Sequence, residues 1–99
     1  MKEYSPIQFL DYIVNRSKEN SLQLNVRTFN EELDKIHDSL WNHDFHIGFG
    51  FEEFALACKR TFPDNCQLDI DKLTLIITKD EKFERELNNY TKIYENPEF

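Results

Sequence analysis

Two alternating runs, Cys66-Gln67-Leu68-Asp69-Ile70 and Leu73-Thr74-Leu75-Ile76-Ile77, face each other across Asp71-Lys72. With that dipeptide as the turn, Ile70 opposes Leu73, Leu68 opposes Leu75 and Cys66 opposes Ile77. All of these apolar side chains then fall on one face. A slip of one residue would divide the set between two faces, so the register is tightly constrained. Tight hairpin turns favour Gly, and Asp71-Lys72 has none; a slightly longer loop would preserve the same faces. A third alternating run, Leu22-Gln23-Leu24-Asn25-Val26, is too short to stand alone and needs strand partners elsewhere in the chain. A small antiparallel sheet is the expectation.

The rest of the chain repeats at helical spacing. In Tyr4-Ser5-Pro6-Ile7-Gln8-Phe9, Ser5 suits a cap, Pro6 the first helical position and Gln8 the return bond of a capping box, while Tyr4 can staple onto Phe9. A helix over about 6–19 follows, with Ile7, Leu10, Ile13 and Val14 as its apolar stripe. Thr28 with Glu31 reads as a second capping box, and Phe29, Leu33, Ile36 and Leu40 continue a helix over about 28–41. Its opposite face carries Glu31, Glu32, Asp34, Lys35 and Asp38. Phe51, Phe54, Ala55, Cys58 and Phe62 predict a third helix closed by Pro63, with Glu52 and Glu53 in its first turn and Lys59 and Arg60 in its last, both favourable to the helix dipole. Asp80 can cap a last helix carrying Phe83, Leu87, Tyr90 and Tyr94 and ending before Pro97. The expected fold class is α+β: helix, strand, helix, helix, strand, strand, helix in a single domain over 1–99, ordered from about 5 to 95.

Charge narrows the function classes. The chain holds 19 acidic and 12 basic residues, a formal charge of −7. Residues 1–50 carry eight acids against five bases and residues 51–99 eleven against seven, so the acidity is distributed rather than confined to a tail. Nucleic-acid affinity rests on Lys and Arg neutralising phosphates, which makes nucleic acid an unlikely partner; anionic membranes are disfavoured in the same way. A partner with a basic surface would be steered toward this chain. Without an apolar leader or spanning run, the expected location is cytoplasmic. Cys58 and Cys66 fit no CxxC pair and are expected as two buried thiols.

The element order resembles that of winged-helix domains, over about residues 5–95. The resemblance implies a sequence-specific DNA-binding regulator as one function. In DNA-binding members a short turn joins the second and third helices, and the third offers polar and basic residues to the major groove. Here residues 42–50 make a longer connection, the exposed positions of the third helix are Glu52, Glu53, Leu56, Lys59 and Arg60, and the wing candidate Asp69 to Lys72 is acidic. Winged helices also serve as protein-interaction modules, and an acidic one fits that use.

Residues 40–51, Leu-Trp-Asn-His-Asp-Phe-His-Ile-Gly-Phe-Gly-Phe, place the only Trp and both Gly of the chain in a strongly aromatic connection. Trp41 and Phe45 are expected as partly exposed anchors, with Phe49 and Phe51 buried. His37, His43, Asp44 and His46 have metal-ligand chemistry but match no established spacing, so no metal and no cofactor are expected. Gly48-Phe49-Gly50 ahead of a helix lacks the third glycine and the lysine of a phosphate loop. No nucleophile elbow, Cys/His signature or HExxH pattern points to an enzyme. The expectation is a small acidic protein-binding module, of the inhibitor, immunity-protein, antitoxin or phage-encoded type, that occludes a basic, nucleic-acid-handling target or assembles as a homodimer. Its contact residues are expected to be Glu31, Glu32, Asp34, Asp38, Trp41, Phe45, Glu52 and Glu53.

Overall fold

The computed structural model describes residues 2–40 and 45–94, with side chains over 5–35 and 48–90. The elements run β1 (Lys2–Tyr4), α1 (Pro6–Arg16), β2 (Ser21–Leu24), α2 (Val26–Leu40), β3 (Phe45–Ile47), α3 (Phe51–Thr61), β4 (Cys66–Asp69), β5 (Thr74–Thr78) and α4 (Glu81–Tyr94). The fold is α+β, with four helices and a three-stranded antiparallel sheet of order β2-β5-β4. Two short strands add to the expected order. β1 and β3 pair in parallel, Lys2 with Phe45 through Tyr4 with Ile47, so part of the 42–50 connection is strand.

The hairpin register is the one the alternation requires, Cys66 opposite Ile77 and Leu68 opposite Leu75. β2 extends it on the other side of β5, with Leu22 opposite Ile77 and Leu24 opposite Leu75. Two apolar rows therefore cross all three strands on one face, Leu22-Ile77-Cys66 and Leu24-Leu75-Leu68, while Gln23-Ile76-Gln67 cross the other.

Three boundaries differ from the sequence expectation, each because a local hydrogen bond prevails. α1 stops at Arg16, where the Ser17 N–H closes back onto the Ile13 and Val14 carbonyls and Ser17 is extended. α2 starts two residues earlier than expected. Its cap is Asn25, whose side-chain oxygen accepts from the Thr28 N–H at 3.0 Å, while the Thr28 hydroxyl accepts from the Asn25 N–H at 2.8 Å, so Thr28 closes a box instead of opening one. Val26 thereby leaves the strand, becomes the first helical residue and stands 45% exposed. The hairpin ladder ends at Asp69–Thr74, leaving Ile70 and Leu73 in a four-residue loop rather than on the sheet. The Ser5/Gln8 capping box forms as read, at 3.1 and 3.0 Å.

Helices cover the apolar face of the sheet around two aromatic clusters. Phe9 of α1, Phe29 of α2 and Phe54 of α3 lie mutually within 5.3–5.4 Å, and Phe49 leans on all three. Phe62, Phe83 and Tyr90 join the end of α3 to α4. Phe51 is buried as expected, and Phe49 is half-buried. Edge-to-face pairs of this kind add about 1 kcal/mol beyond the area they bury. Lys79 locks the frame from the C-terminal side: its ammonium donates to the Val14 and Ser17 carbonyls at 3.2 and 2.8 Å, with its side chain only 8% exposed. A cation on the last carbonyls of α1 complements that helix's dipole. Among the described residues no helix is long and apolar enough to cross a membrane.

Candidate functional site

The residues expected to meet a partner separate into two places. Glu31 and Glu32 line a hollow of about 390 Å³ between α1, β2 and α2, together with Arg16 and Lys35. Glu32 bonds Arg16 at 3.0 Å and Lys35 at 3.3 Å and is only 20% exposed. Arg16 in turn sits 5.1 Å from the Tyr12 ring centroid. The charge of Glu32 is thus answered within the domain, and the hollow presents both signs rather than a carboxylate surface. Asp34 is exposed on α2. Asp38 belongs to α2 and Phe45 to β3, but their side chains, like Trp41 as a whole, lie outside the described residues, as do the side chains of His37, His43, Asp44 and His46.

The second place is one the sequence reading did not assemble. Of the four large apolar side chains exposed among the described residues, Leu56 (53%), Ile70 (70%) and Leu73 (38%) converge on one groove of about 220 Å³. Its floor is Phe51 and Ala55 of α3 with Leu68 of β4, and Glu52 stands at its rim. Glu53 is exposed beside Glu52 in the same first turn of α3. An open recess along the hairpin shares Leu68 and Ile70 with the groove and adds Asp69, Asp71 and Gln67. The two cavities of the acidic surfaces share no residue.

The hairpin loop builds the far wall of the groove by local bonding. The Asp69 carboxylate accepts from the Lys72 N–H at 3.2 Å, the Leu73 N–H closes onto the Ile70 carbonyl at 3.3 Å, and the Thr74 hydroxyl donates to the Lys72 carbonyl at 3.1 Å. These bonds hold Leu73 at φ 47°, a left-handed conformation that Leu seldom adopts and that costs about 1 kcal/mol. The result is a hydrophobic side chain held out of the core at the groove's edge. On the other wall, α3 begins at Gly50 with no side-chain cap, so Glu52 and Glu53 answer the dipole while remaining exposed.

No family model, curated protein or solved structure matches the chain.

The groove carries no nucleophile. Cys58 and Cys66 lie buried behind it as free thiols in contact with each other; burial pushes Cys58 well above its ordinary value, and the hydrogen bond it gives lowers Cys66. Asp11 is raised by burial, partly offset by the Asn15 amide. Asp80 is lowered because the Phe83 N–H, at 2.7 Å, and the Asn65 amide, at 3.1 Å, both donate to it. These shifts accompany packing and capping, away from the groove. Leu56 was legible as a Leu among the exposed positions of α3; Ile70 and Leu73 were missed because alternation assigned them to the ladder.

Proposed function

We propose that the protein is a small acidic protein-binding module that occludes a basic, nucleic-acid-handling target, as inhibitors, immunity proteins and antitoxins do, and that its contact surface is the groove between α3 and the β4–β5 loop. The observation that supports this reading is the convergence of exposed Leu56, Ile70 and Leu73 beside Glu52, Glu53, Asp69 and Asp71. Partly exposed apolar side chains at a concave site gain about 1 kcal/mol each on completing their burial, and a carboxylate rim steers a cationic partner without supplying most of the affinity. Carboxylates would occupy the target's phosphate-binding positions while apolar anchors fill the groove. Action by occupancy needs no covalent step.

The competing reading, duplex binding by a winged-helix-like α3, has exposed Lys59 and Arg60 in its favour and exposed Glu52 and Glu53 against it. Affinity capture from extracts of the source cells separates the two readings. The wild-type chain is expected to retain a basic protein that Leu56→Glu loses, and Glu52→Lys combined with Glu53→Lys is expected to slow association at low salt. Capture unchanged by these substitutions and insensitive to salt would sink the proposal, because rim charges act over a screening length of about 10 Å at 0.1 M salt. A duplex shift abolished by Lys59→Ala and Arg60→Ala would establish the competitor.

A further inference from the structure

β4 is an edge strand, paired only with β5 among the described residues. The bonding of its outer edge follows from one distance. The Thr78 N–H donates to the Asn65 carbonyl at 2.8 Å across the register in which Cys66 faces Ile77. Hydrogen-bonded pairs alternate along an antiparallel ladder, so Gln67–Ile76 and Asp69–Thr74 are the bonded pairs. Cys66 and Leu68 must then turn their backbone groups away from β5. Cys66 does so, since its N–H donates to the Phe62 carbonyl at 3.0 Å. Leu68 presents its N–H and C=O to the open edge with no partner among the described residues.

The groove and the open recess along the hairpin meet at this edge, sharing Leu68 and Ile70. Leu68 projects to the inner face, into the apolar groove with Ala55 and Leu56, while Gln67 and Asp69 project to the outer face with Asp71. Resting on the groove as the contact surface, we infer that the partner segment is an extended strand that adds antiparallel to β4, with alternating apolar and basic residues. Successive side chains of a strand point to opposite faces. The residue opposite Leu68 would enter the groove as an aliphatic side chain, and its two neighbours, opposite Gln67 and Asp69 on the outer face, would be Lys or Arg, the one at Asp69 pairing with its carboxylate next to Asp71 in the loop. Antiparallel pairing continues the sense of the β4–β5 ladder and is the more stable form per residue. A second copy of this chain is a poor occupant: the same edge would bring Asp69 and Asp71 from both sides, on molecules of charge −7.

The test uses the full-length protein and a blocked heptapeptide alternating lysine with isoleucine, titrated to millimolar concentration and followed by amide NMR. Leu68 and Ile70 amides are expected to shift and to exchange more slowly. In the antiparallel pair the isoleucine N–H groups bond β4, so backbone N-methylation of the isoleucines should weaken binding about tenfold or more, while N-methylation of the lysines leaves it nearly unchanged. Any other order of the two methylated peptides overturns strand addition, while binding by the parent peptide keeps the groove reading. No shift with any peptide overturns both. Equal binding by a glutamate–isoleucine peptide overturns the charge pattern, and shifts of the β4 amides with protein concentration alone would seat a second copy on the edge instead.

Discussion

The two ends of the β4–β5 hairpin are written in the same alternating code and meet opposite fates. At the base, Cys66 and Ile77 are fully buried, the Asn65 amide reaches the Thr78 carbonyl at 2.7 Å and the Asp80 carboxylate at 3.1 Å, and Phe62 packs edge-on against Phe83. At the tip, Ile70 and Leu73 continue the same spacing and stand in solvent. α3 runs beside both ends, and what differs is the side chain it offers. Cys58 and Phe62 fill the space over the base, whereas Glu52 and Leu56 leave a groove at the tip. Alternation therefore specifies which face a residue occupies and says nothing of whether another element covers it.

Four experiments break or sharpen that contrast. The largest effect is expected at the base, where Ile77→Ala empties a fully buried site opposite Cys66 and should cost about 3 kcal/mol in urea unfolding; a loss below about 1 kcal/mol would mean that the sheet is not held from its inner face. Next is the latch at Asp80. Its carboxyl lies below the ordinary value of 3.8, so its contribution is present above that pH and is lost as pH falls through the folded-state value. Asp80→Asn should lower stability at neutral pH and flatten the acid decline. Asp11, raised by burial, acts with the opposite sign, favouring the fold at low pH and losing that contribution as pH rises through its folded value; the difference between wild type and Asp80→Asn isolates the latch.

Smaller effects belong to the tip. Leu73→Gly relieves a left-handed Leu at the expense of chain entropy, for a net gain of about 0.5 kcal/mol, while removing one groove wall; calorimetry should register a higher Tm with weaker peptide binding. A lower Tm would place Leu73 among the stabilising contacts. Smallest is Ile70→Ser, expected to change stability by less than about 0.5 kcal/mol because the side chain is 70% exposed, yet to weaken partner binding.

Most of the frame was legible because its signals are local and strong: the Ser5/Gln8 box, the spacing of Phe51, Phe54 and Cys58, and a register in which one slip scatters the whole apolar set. What escaped was decided by competition between neighbours or by distance. Asn25 and Thr28 were both competent caps, and only the backbone geometry selects Asn25. β1 and β3 are three residues each and lie some forty positions apart, with no periodicity long enough to register. At the site, Glu52 and Glu53 were readable from their helix positions, whereas Glu32 was not known to be engaged until Arg16, sixteen residues away, came to rest against it. The groove itself was illegible because it lies between elements and appears in neither alone. The absence of Gly in Asp71-Lys72 was the one hint that the tip would open.

The place of β5 between β2 and β4 makes the sheet indivisible. Neither outer strand touches the other, so a chain interrupted before Thr74 keeps no pairing in this sheet. As the polypeptide is synthesised, β2 has nothing to lie against until β5 has emerged some fifty residues later, and the short β4–β5 closure is entropically the cheaper first step. The strand that completes the sheet is therefore among the earliest made, and it waits longest for its partner.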